Sequence, residues 1–81
     1  REKSKEAKGW IIDIMNCIDL IKKDKFSLDE MYAFEDKLKI KYPNNNFIKD
    51  KIRQQLQILR DKGIIEFIGR GIYKKVNYAN L

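Results

Sequence analysis

Residues 47–75 read FIKDKIRQQLQILRDKGIIEFIGRGIYKK, and this stretch decides the fold. Ile48, Ile52, Leu56 and Leu59 stand at i, i+4, i+8 and i+11, an apolar stripe with the period of an α-helix. The helix expected runs from Phe47 to about Lys62, and Gly63 sits where a left-handed residue closes a helix end. The pattern then changes. Ile64 to Ile68 is rich in β-branched and aromatic residues, Gly69-Arg70-Gly71 is a turn, and Ile72 to Val76 is a second extended run. Two such runs around a short glycine-containing loop are a β-hairpin. The helix face opposite Ile48, Ile52 and Leu59 carries Asp50, Arg53, Gln54 and Gln57. Lys49 and Arg60 flank it on one side, Phe47 and Lys51 on the other.

Upstream, Pro43-Asn44-Asn45-Asn46 is a turn, and asparagine also suits a helix N-cap. Ser27-Leu28-Asp29-Glu30 has the pattern of a capping box, which starts a second helix from Leu28 to about Ile40, spaced by Met31, Phe34, Glu35 and Leu38. Pro43 biases Tyr42 out of the helical region and ends that element. A first helix is expected over residues 10–23, with Ile11, Ile14, Met15, Ile18 and Ile21 on one stripe. Trp10, Ile12, Cys17 and Leu20 widen its apolar surface, which suggests burial on more than one side. Residues 1–8, REKSKEAK, are expected to be a flexible linker, with the domain occupying 9–81. An isolated hairpin is marginal in water, so this one must pack on the helices, and the short extended segment at Phe26 can add a third strand. The order predicts an α+β winged helix: three helices with a small antiparallel hairpin wing.

The chain has 81 residues and a net charge of +6. Residues 44–81 carry +5 and residues 9–43 carry −1, so the basic half coincides with the third helix and the wing, as for a face aimed at a polyanion. There is no histidine and one cysteine, Cys17. That excludes Ser-His-Asp and Cys-His chemistry, an internal disulfide and a zinc site, and no cofactor or metal is expected. Nothing in the sequence reads as a membrane span or signal peptide, so a cytoplasmic setting is expected. Glu35-Asp36-Lys37 matches a (D/E)xK nuclease triplet literally, but on a helix and without a Pro-Asp partner, so no catalytic residue is assigned.

The string KIRQQLQILRDKGIIEF (51–67), followed by GRGIYKK (69–75), resembles the C-terminal domain of DpnI-type restriction endonucleases, the Dam-replacing family. Gly9 to Asp19 and FSLDEMYAFE (26–35) fit the same domain. The resemblance implies a bacterial two-part enzyme. An N-terminal nuclease domain would cut, and a C-terminal winged helix, the part present here, would bind double-stranded GATC carrying N6-methyladenine on both strands, as a monomer and without cleaving. The alternatives are a winged helix used for protein–protein contact or dimerisation, and a regulator that binds unmethylated DNA.

N6-methyladenine puts its methyl in the major groove and keeps one N6 hydrogen. A reader needs an amide for the adenine edge, an apolar patch for the methyls and a cation for guanine O6 and N7. Gln54 or Asn46 could serve adenine, and Arg53 or Lys49 guanine. Phe47 and the aliphatic stems of Lys49 and Lys51 are candidates for the patch. Asp50 could accept from cytosine N4 or hold Arg53. Asn45 lies in the same N-terminal turns, and Gln57 lies one turn further on. Arg70, Lys74 and Lys75 in the wing should meet phosphates, with Tyr73 packing beneath it.

Overall fold

The computed structural model describes residues 2–76, with side chains from Gly9 onward. The chain runs α1 (Glu2–Leu20), β1 (Lys25–Ser27), α2 (Leu28–Tyr32), α3 (Glu35–Lys41), α4 (Ile48–Asp61), β2 (Ile65–Gly69) and β3 (Ile72–Lys75). The three strands form one antiparallel sheet in the order β1-β3-β2, so the segment at Phe26 does add a strand to the hairpin. Four helices rather than three precede that hairpin, because the expected second helix is broken. Residues 77–81 of the expected domain lie outside the described residues.

The break falls at Ala33 and Phe34. Ala33 N–H still donates to Asp29 O, but Phe34 N–H donates to Met31 O at 3.0 Å, a tightened three-residue turn. A new helix then starts with Glu35 and Asp36 in its first turn and ends with Lys39 and Lys41 in its last, each charge suited to its end of the helix dipole. Helical backbone also begins at Glu2, where a flexible linker is expected from sequence. Glu, Lys and Ala are strong helix formers, and a helix already nucleated at Trp10 extends backward at little cost.

The core joins Trp10, Ile14, Cys17, Ile18 and Ile21 of the first helical segment and its end to Phe26, Met31, Leu38, Ile48, Ile52, Leu56, Leu59, Ile64 and Ile65. Among the described side chains, the buried stripe of α1 runs from Trp10 to Ile18. Ile12 and Leu20 are 57% and 50% exposed, so the helix is not buried on the further side that their apolar character suggested. Burial pushes the Cys17 thiol up to about 11, so it is protonated and inert at neutral pH.

Two ends are fixed by local chemistry. Ser27 Oγ accepts from Glu30 N–H at 3.0 Å, and Glu30 Oε1 accepts from Ser27 N–H at 2.8 Å, the expected capping box. Lys23 pairs with Glu30 at 2.7 Å and, with the Ser27 N–H, holds that carboxyl below its ordinary range. At the far end of α4, Gly63 adopts φ 77°. Its N–H donates to Arg60 O, and Ile64 N–H donates to Leu59 O, a Schellman closure with Leu59 and Ile64 both in the core. Gly63→Ala is expected to lower unfolding stability by about 1 kcal/mol, the cost of placing a Cβ in the left-handed region. Urea denaturation followed by circular dichroism checks this, and an unchanged midpoint contradicts it.

Candidate nucleic-acid interface

The loop before α4 is built by its own side chains. Tyr42 O accepts from Asn45 N–H at 3.1 Å, and Asn45 Oδ1 accepts from Phe47 N–H at 2.7 Å, so Asn45 shapes the entry to the helix and Phe47 takes the cap position without a side-chain bond. The loop is pinned to α1. The Tyr42 ring stacks on Trp10 with centroids 4.2 Å apart, its hydroxyl donates to Asp13, and Lys41 pairs with the same carboxylate at 2.9 Å. Phe47, an apolar ring at the start of the helix, is left 70% exposed.

From this loop the outer face of α4 forms a run of adjoining depressions. The first is lined by Asn45, Phe47, Asp50, Lys51 and Gln54, and the next by Asp50, Arg53, Gln54 and Gln57. A third, of about 320 Å³, lies between α4 and the hairpin and includes Arg53, Gln57, Arg60, Arg70, Phe67 and Tyr73. Shared residues link each to the next, so one continuous surface leads from the loop to the wing. Its cationic end brings Arg53 and Arg60 from the helix together with Arg70 from the hairpin turn. Burial raises the Tyr73 hydroxyl above its ordinary pKa, opposed by the nearby Arg53 and Arg60 charges. The wing is braced from below: Tyr73 stacks on Phe26 at 5.5 Å, and Leu28 N–H donates to Gly71 O at 2.8 Å.

Among the residues named from sequence, Asn45, Phe47, Asp50, Lys51, Arg53, Gln54, Gln57 and Arg70 share this surface. Four others are engaged elsewhere or set apart from it. Asn46 Oδ1 accepts from Lys39 Nζ at 3.2 Å, although the residue lines a neighbouring hollow with Asn45 and Phe47. Lys49 leans over the Tyr32 ring, 4.0 Å from Glu35. Lys75 donates to the Ile21 carbonyl just after α1, and Lys74 is paired in register with Glu66 and Lys25, towards the base of the hairpin rather than its tip. Arg60 and Phe67 are among the lining residues that sequence reading did not select. Arg60 reads as a flank of the polar face, and only the fold brings the wing against it. Glu35-Asp36-Lys37 opens α3, and no group of three or more His, Cys, Asp or Glu that could hold a metal occurs among the described residues.

This helix-turn-helix with its hairpin also has a counterpart among known families. Residues 6–75 match the family model described as the Dam-replacing HTH domain. The chain belongs to the Dam-replacing HTH domain family. It is thus a helix-turn-helix module that binds DNA, and its fold is a winged helix. No helix among the described residues is long and apolar enough to cross a membrane.

Proposed function

We propose that this domain reads GATC methylated at N6 of adenine on both strands, as the target-recognition part of a methyl-directed restriction endonuclease. The observation that carries the reading is the continuous surface from Asn45 to Arg70, in which the exposed Phe47 ring and three amides, Asn45, Gln54 and Gln57, lead to the cluster of Arg53, Arg60 and Arg70. The N-terminal half of α4 enters the major groove. There Gln54 addresses adenine, Arg53 addresses guanine O6 and N7, and Phe47 with the Lys51 stem offers apolar surface to the methyls. Asp50 accepts from cytosine N4 or steadies Arg53. The two adenines of GATC are adjacent steps on opposite strands, so one helix end can sense both methyls. Arg60 and Arg70 close on the phosphates between helix and wing. Cleavage would belong to a separate nuclease domain.

Fluorescence anisotropy at one fixed salt concentration, with GATC duplexes bearing no, one and two methyls, tests the reading. Affinity is expected to rise in that order, and equal affinity for the three duplexes overturns it. A steep salt dependence is expected as well, because phosphate contacts release counterions and a protein-binding surface does not.

The wing divides in the same experiment. Arg70→Ala is expected to weaken methylated and unmethylated duplexes equally and to reduce the salt slope by about 0.9. Lys75→Ala, which removes the tie to the Ile21 carbonyl, is expected to lower the melting temperature and leave the salt slope alone. A slope change in Lys75→Ala, or a loss of methyl preference in Arg70→Ala, contradicts this division.

A further inference from the structure

Gln55 is a polar side chain in an otherwise apolar core, 3% exposed on the inner side of α4. Its Nε2 donates to Oε1 of its neighbour Gln54 at 3.3 Å, and its own Oε1 is enclosed with no partner among the described residues. Leaving a buried carbonyl unpaired works against folding, and a leucine or methionine here would avoid that cost. The one bond Gln55 does make has an effect outside the core. Gln54 lines both of the depressions on the reading face. With its Oε1 held by Gln55, Gln54 has its NH₂ group left to address a ligand in these depressions.

An unrestrained glutamine reads adenine with two bonds, its oxygen accepting from N6–H while its nitrogen donates to N7. N6-methyladenine in a Watson–Crick pair shows another edge. The one hydrogen that N6 retains is engaged with thymine O4, the methyl stands where the major-groove hydrogen was, and N7 remains as acceptor. A glutamine free to use both its groups fits unmodified adenine. A glutamine limited to donating makes the same N7 bond to both bases and forgoes the second bond that would favour the unmodified one.

We propose that Gln55 is a positioning residue which occupies the acceptor of Gln54 and so makes it a donor-only reader, one that forgoes the second bond by which a glutamine would favour unmethylated adenine. This rests on the methyl-reading function proposed above. Gln55→Met keeps the volume, removes both the donor and the unpaired carbonyl, and is expected to melt no lower than the wild type. In anisotropy titrations it should bind unmethylated GATC more tightly and methylated GATC about as before, so that the methyl preference falls by about five- to tenfold, the worth of one base-edge bond. A preference unchanged in Gln55→Met, alongside a clear preference in the wild type, overturns the role of Gln55 alone. Equal affinity of the wild type for both duplexes overturns the methyl-reading function and this proposal with it. A second measurement needs no variant: a duplex carrying N6-methyl-7-deazaadenine lacks the N7 acceptor and should bind the wild type about tenfold more weakly than its N7-containing counterpart. No loss on that duplex overturns the donor-only reading.

Discussion

Arg53→Ala is expected to reduce affinity for doubly methylated GATC by about ten- to a hundredfold, and to cost much less on random DNA. A base-edge contact contributes about 1–3 kcal/mol to discrimination, whereas on random sequence only one neutralised phosphate is lost. Arg53 is the cation shared by the middle depression of α4 and the cleft under the wing, so it stands where the polar face of the helix meets the cluster of arginines. Anisotropy with specific and random duplexes at the same salt concentration separates the two losses. Equal losses on both would move Arg53 from base reading to backbone contact, and no loss on either would remove this helix face from the interface.

Trp10→Ala is expected to destabilise the domain by about 3–5 kcal/mol, as large core truncations do. The whole stability of an 81-residue domain is about 4–12 kcal/mol, so the variant should lose from about a quarter to all of it. Trp10 is fully buried, its ring stacks on Tyr42, and Lys51 sits 5.9 Å over it. Its loss therefore opens a cavity and also frees the loop that leads into α4. Urea titration by far-ultraviolet circular dichroism measures the change, with Trp10→Phe expected to recover part of it. A loss below about 1 kcal/mol would show that the core closes over the gap, against the cavity argument.

What was legible in the sequence was what depends on near neighbours. The stripe Ile48, Ile52, Leu56 and Leu59 needs only the helical period, and all four are buried. The Ser27–Glu30 box and the glycine at 63 need only three or four residues of context. The charge split falls on α4 and the wing because the two are consecutive in the chain. Less visible was whatever depends on what lies across the fold. Lys75 resembles Lys74 in sequence, but strand alternation turns it toward the Ile21 carbonyl. Gln55 sits in a polar run, RQQLQ, and only its spacing, three residues after Ile52 and four before Leu59, sets it on the buried stripe against its residue type. Arg60 gains its setting only when the hairpin folds back over it. The break at Ala33 and Phe34 could have been found, since an acidic pair at 35–36 followed by lysines at 39 and 41 is the charge pattern of a separate short helix.

The strand order β1-β3-β2 bears on how the molecule is made. β3 comes last among the described elements and lies in the middle of the sheet, with Phe26 and Phe67 both paired to Tyr73. During synthesis, a nascent chain that has emerged only as far as Gly71 holds all four helices and neither strand pairing of the finished sheet. β1 must then wait across more than forty residues for its partner, and closing a loop of that length is a late, slow event. The arginine cleft between helix and wing is consequently absent until translation has passed residue 75, so a truncated nascent chain can carry the helical half without that cluster of cations.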